Sequence, residues 1–167
     1  MIHAATVPPL TRMLTALHAI LAKADAHCTA RKIDPAALLT ARLFPDMFPL
    51  TRQVQLTCDF SARAAARLSA SEVPNFPDTE TTFDELAARI IRARDHVSSV
   101  DPAAFDGAEQ RVVTIKMRGQ DVQMTGLDYL TIFALPQVYF HATTAYNILR
   151  HNGVEVGKAD YMGLTGR

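Results

Sequence analysis

The chain has 167 residues, 49% of them hydrophobic and 20% charged, with 17 Lys and Arg balancing 17 Asp and Glu. That length fits one domain over 1–167 with a sizeable core. The composition excludes disorder, and the lack of a long uninterrupted apolar run excludes a membrane-spanning helix. A formal net charge of zero offers no global field to phosphate backbones or anionic lipid, so neither nucleic acid nor membrane is an expected partner; weak colloidal repulsion favours self-association, with a homodimer as the expected assembly.

Cys28 and Cys58 are too few and too isolated for a disulfide framework or a zinc knuckle. The opening MIHAATVPPL lacks the basic-then-apolar layout of a signal peptide. The expectation is a cytoplasmic protein with reduced thiols.

In chain order, Leu10, Met13, Leu14, Leu17, Ile20, Leu21 and Ala24 line one helical stripe after Pro8 and Pro9, which predicts a first long helix ending between Ala26 and Ala30. Asp34-Pro35 supplies an N-cap oxygen and a first-turn proline for a short helix through Leu43. The prolines of LFPDMFPL then turn the chain, with Asp46 as a cap or turn residue.

From Pro49 to Ala70, the apolar set Leu50, Val54, Cys58, Ala62, Ala65 and Leu68 predicts a second long helix. Cys58 reads as a small buried hydrophobe, and Gln53 and Gln55 are polar positions near the helix start. SASEVPNFPDTE is a linker, and Thr82-x-x-Glu85 is a capping box for a third helix. Its expected inward face is Phe83, Leu86, Ala87, Ile90, Ile91 and Val97; Arg89, Arg92 and Arg94, accompanied by Asp84, Glu85 and Asp95, read as a mixed solvated surface.

Between Arg111 and Thr125 the apolar period changes to two, which predicts a β-hairpin turning at Arg118-Gly119-Gln120-Asp121. Two strands are marginal alone, so this hairpin is expected to pack on the helices or on another subunit. The stretch from Gly126 to Gly153 is the last core helix, kinked or divided at Pro136 and capped at Asn152-Gly153; the tail after it is expected to be irregular, pinned by Tyr161 and Met162. The fold class is therefore all-α, an antiparallel four-helix bundle with a small β-hairpin before the last helix.

Gln137 and His141 lie four apart and so project from one face of this last helix; Tyr146 is on a neighbouring face. A catalytic metal in a bundle core needs such a pair plus a ligand from a facing helix and an open coordination position. An imidazole is a good ligand for Zn²⁺ or Ni²⁺ and a neutral amide a poor one, so His141 is the candidate metal ligand. The other reading is a buried His141 hydrogen-bonded to Gln53, Gln55, Gln137 or Tyr146.

The segments DMFPLTRQVQ, PDTETTF and FHATTAYNILRHNGVEVGKADYMG after LPQVY resemble the DUF1993 family of bacterial domains of unknown function, within the DinB/YfiT-like superfamily of metal-binding four-helix bundles. The resemblance spans nearly the whole chain. It implies a divalent metal held by one helix 2 histidine and a His-x-x-x-His pair on the last helix, and in some members the transfer of low-molecular-weight thiols. Carried onto this sequence, His141 takes the second position of that pair, Gln137 the first, and Gln53 or Gln55 the helix 2 position. Two of the three imidazoles are thus replaced by amides, with Asp46 or Asp59 the candidates to add charge.

Three functional readings follow. One is a degenerate, non-catalytic bundle protein with a small polar pocket around His141 that takes a small-molecule ligand or none, and no cofactor. Its rival is a metal-dependent transferase or hydrolase acting on a small thiol or electrophile through Zn or Ni at His141. The last is an interaction module whose dimer interface includes the hairpin. No Gly-x-Ser-x-Gly, phosphate loop or alternating βα pattern supports a serine hydrolase, phosphate-loop or dinucleotide enzyme.

Overall fold

The computed structural model describes residues 1–164. Its long helices are α1 (Ile2–Arg31), α3 (Leu50–Ser69), α4 (Phe83–Ser99) and a last helical run in three parts: α5 (Gly126–Asp128), a π-helical segment (Tyr129–Ala134) and α6 (Leu135–His151). They form an antiparallel four-helix bundle in which α1 packs on α4, α4 on α3 and α3 on α6, with α6 returning to α1. Among the described residues no helix is long and apolar enough to cross a membrane.

The apolar stripe predicted for α1 is buried as expected, but the helix begins at Ile2 and runs through both prolines instead of starting after them. Pro8 and Pro9 cannot donate to the carbonyls four residues earlier, on Ala4 and Ala5; both alanines are exposed, where water can satisfy the freed carbonyls. Buried Ile2 anchors the added turn, with its backbone N–H donating to Glu109 Oε1 at 3.1 Å. Lys32, at φ 55, ends the helix in the left-handed conformation.

The short helix α2 (Pro35–Leu39) starts at the Asp34 cap, whose side chain accepts from Ala36 N–H at 3.0 Å, and stops four residues before Leu43. In α3 every residue of the predicted stripe is buried. The capping box of α4 forms as read from Thr82 and Glu85. Its inward face is not quite the predicted one: Ile91 is exposed, and Arg89 takes a place among buried Leu86, Ile90 and Ala93.

A 3-10 turn at Pro102–Phe105 leads to the hairpin of β1 (Val112–Met117) and β2 (Gln120–Thr125). Its register pairs Met117 with Gln120, so the turn is Arg118-Gly119 alone, with φ of 51 and 82. Positive φ at both central residues suits the right-handed strand twist. Val113 and Ile115 face the bundle and are buried, and the Arg111 guanidinium donates to the Leu68 carbonyl at the C-terminal end of α3.

Of the kink and the division that Pro136 left open, the division does not occur: the last run is continuous. A π segment precedes the proline, and Leu135 N–H bonds the Leu130 carbonyl five residues back. A widened turn relieves the clash between a proline ring and the carbonyl four residues earlier. Gly153, at φ 84, ends the helix as predicted. The tail is less irregular than expected, since α7 (Lys158–Tyr161) forms a short turn and Tyr161 packs on Tyr146 with centroids 5.9 Å apart.

Candidate functional site around His141

The site lies between the first turns of α3 and the middle of α6. Gln53 is buried on α3, and its side-chain N–H donates to the Phe48 carbonyl at 3.1 Å. A carbonyl can only accept, so this bond fixes the amide with its oxygen turned the other way, towards His141 Nδ1 at 2.7 Å. The oxygen in turn requires a proton on Nδ1. His141 is therefore the tautomer whose Nε2 holds the lone pair, and Nε2 has no hydrogen-bond partner among the described residues.

Burial, and secondarily the positive charge of Arg52, pushes the His141 pKa down to about 4. The imidazole is 6% exposed, stacked on Phe60 at 5.6 Å with an interplanar angle of 6°, and Phe140 meets its edge at 5.2 Å. A neutral, ring-clamped imidazole of this kind accepts a hydrogen bond at Nε2. It is a weak base at neutral pH, because general-base catalysis is best served by a pKa near the working pH.

The other candidates are placed apart. Gln137 sits one turn before His141, half-buried, with no hydrogen bond to it. Gln55 faces a different cluster, donating to Glu80 at 2.9 Å and accepting from Arg52 at 3.1 Å. Tyr146 packs on Tyr161. Asp46 is in the exposed turn before α3, and Asp59 is held by Arg89 at 2.6 Å and Arg63 at 3.1 Å.

The cluster around Gln55 is the feature that the sequence reading missed. Arg89, expected on a solvated surface, is 0% exposed. One of its terminal nitrogens donates to Glu80 at 3.0 Å and to the Pro77 carbonyl at 2.9 Å; the other donates to Asp59 and, at 3.0 Å, to Asp78. Arg52 also pairs with Asp78, and the Arg89 and Arg92 guanidiniums lie over Phe76. The linker before α4 is thus nailed to α3 and α4 through one buried cation. The signal was present: Arg89 falls on the stripe through Leu86, Ile90, Ala93 and Val97, and four-residue spacing puts it inside.

The domain of unknown function DUF1993 matches residues 2–162. The chain belongs to this family. A DinB family member protein from Shewanella denitrificans, whose crystal structure is at 1.83 Å resolution, is 40% identical to this DUF1993 chain; the match has a TM-score of 0.92 and covers 100% of this chain and 94% of that one. No curated protein matches the chain.

The DinB likeness makes a divalent metal worth testing against the donors. At the positions that the resemblance assigns to ligands stand His141, Gln137 and either Gln53 or Gln55, one imidazole and two neutral amides, and Gln55 faces away towards Glu80. The Gln53 oxygen is already engaged by His141 Nδ1. Among the described residues no group of three or more His, Cys, Asp or Glu is placed to hold an ion. These donors do not fit Zn²⁺ or Ni²⁺. Neither thiol compensates, since Cys58 is fully buried and its pKa is driven upward by burial, and Cys28 is buried as well.

Proposed function

We propose that this DUF1993 protein is a non-catalytic member of the DinB-like bundles, a cytoplasmic homodimer that binds a small ligand at a polar site centred on His141. The reading is carried by the bond from His141 Nδ1 to Gln53, an amide oriented by the Phe48 carbonyl. Gln53, one of the two amides at or near the helix 2 position where the wider superfamily has a metal-binding histidine, here fixes the tautomer of an imidazole that burial keeps neutral. Such a site offers a ligand one hydrogen-bond acceptor, Nε2, beside apolar Phe60 and Phe140. The homodimer is supported by exposed Ile132, Pro136 and Phe140, spaced at one helical turn along the last run.

The test is elemental analysis of protein purified without a histidine tag, before and after incubation with excess Zn²⁺ and Ni²⁺. The expected result is no stoichiometric ion. One ion per chain, lost on His141→Ala, would overturn the reading in favour of a metal-dependent transferase or hydrolase.

A further inference from the structure

A cavity of about 660 Å³ lies between α3, the π segment and the hairpin. Its apolar wall is Phe60 and Phe133, ring centroids 6.0 Å apart at 73°. Arg63, Arg67 and Lys116 line it with one acidic side chain, Asp121. Arg63 is already paired with Asp59 at 3.1 Å, and Lys116 lies 3.5 Å from Asp121 on the exposed hairpin. Arg67 is different. Its polar partner is a phenol, the Tyr129 hydroxyl at 3.2 Å, and it has no carboxylate partner among the described residues.

We propose that this cleft binds a small aromatic anion, with Arg67 and Lys116 on the anionic group and the ring of the ligand against Phe60 and Phe133. The volume falls within the range of small-molecule sites, roughly 300–1,000 Å³. Of the Arg67 donors, one is committed to Tyr129, which leaves the planar fork able to bind a carboxylate or phosphate. A flat ring matches the two aromatic walls by stacking or edge contact. Lys116 can leave Asp121 at little cost, since an exposed pair of this kind is worth little in water. The inference does not rest on His141 as a ligand site, although Phe60 is shared between the two.

Phenyl phosphate, inorganic phosphate and benzyl alcohol are the probes, read by backbone and arginine side-chain NMR shifts of the full chain. Saturable binding of phenyl phosphate is expected, with shifts confined to the hairpin, α3 and the π segment, and inorganic phosphate and benzyl alcohol both weaker. Arg67→Gln is expected to weaken phenyl phosphate binding by about tenfold. Lys116→Gln, at an exposed position outside the core, is expected to weaken it by about two- to fivefold. No saturable binding of phenyl phosphate, equal binding of benzyl alcohol or of inorganic phosphate, or indifference to both substitutions would each overturn the proposal.

Discussion

His141 and Arg89 are both buried polar side chains, and they respond to pH in different ways. His141 has a folded pKa of about 4 against an ordinary value of 6.5. At pH 7 it is uncharged in the folded state and mostly uncharged in the unfolded one, so the lowered pKa costs little there. As pH falls below 6.5 the unfolded chain takes up a proton that the folded chain refuses, so stability declines down to about pH 4, by up to about 3 kcal/mol at 1.36 kcal/mol per unit. Comparing urea unfolding of the wild type and His141→Asn between pH 7 and pH 4 should show that the variant loses this slope; Asn keeps a donor for Gln53. A parallel slope in both proteins would place the dependence elsewhere. Arg89 holds Glu80 and Asp59, buried carboxylates that without it would keep only Gln55 and the more exposed Arg92 and Arg63. Burial alone would raise the Glu80 pKa, but hydrogen bonds from Arg89 and Gln55 bring it below the ordinary carboxylate value. The stability Glu80 contributes is therefore present above an ordinary carboxylate pKa and lost as pH falls through its lowered one. Arg89→Met is expected to cost about 3–5 kcal/mol at pH 7 and to move the acid-unfolding midpoint upward, measured by denaturant melts and a pH titration of the far-ultraviolet circular dichroism.

The entry to the last helix is a tight joint between two backbones. A Cβ on Gly126 would sit 1.9 Å from the Ala108 carbonyl oxygen, and Leu127 N–H bonds the Glu109 carbonyl at 3.1 Å, so two backbones meet with no room for a side chain. Gly126→Ala must displace the turn that carries Ala108, and a loss of about 1–3 kcal/mol or more is expected in chemical denaturation; a loss below about 1 kcal/mol would show that the joint yields. Much of this architecture could be read from residue spacing. The stripes of α1 and α3, the Thr82–Glu85 box, the period-two hairpin and the Gly153 cap are local patterns, and each is formed. What escaped is non-local. Pro8 and Pro9 look like a helix boundary until Glu109, more than a hundred residues away, secures Ile2. Pro136 leaves a kink and a break both open, because local rules count a lost hydrogen bond and a clash but not the widened turn that avoids the clash. At the site, Gln53 and His141 could be named as partners, but the choice of Gln53 over Gln55 depends on Glu80 drawing Gln55 away.

The bundle closes its core on four sides yet leaves apolar surface on the outside of its last run. Ile132 is 70% exposed and Phe140 57%, and with exposed Pro136 between them they repeat at one helical turn and form one stripe. Neighbouring Tyr139 and Leu127 are also among the exposed large hydrophobic residues. Scattered exposed hydrophobic residues are ordinary, but a contiguous stripe is a hallmark of surfaces that bury against a partner. A symmetric pair of such stripes would bring the same residues of two copies together, and with a formal net charge of zero there is no long-range repulsion to oppose their approach. Sedimentation or light scattering of the wild type at micromolar concentration should give twice the mass of one chain. Ile132→Glu with Phe140→Glu should give single chains of unchanged helicity, since each places like charges at the centre of a symmetric contact while leaving Val138, Ala142 and the rest of the buried face of α6 in place. Ile132 is the cleaner of the two sites, because Phe140 also touches the edge of His141; Ile132→Glu alone should therefore weaken the dimer without altering the His141 titration. A wild type that sediments as a single chain would remove the dimer, and a doubly substituted protein that still dimerises would move the interface to another face.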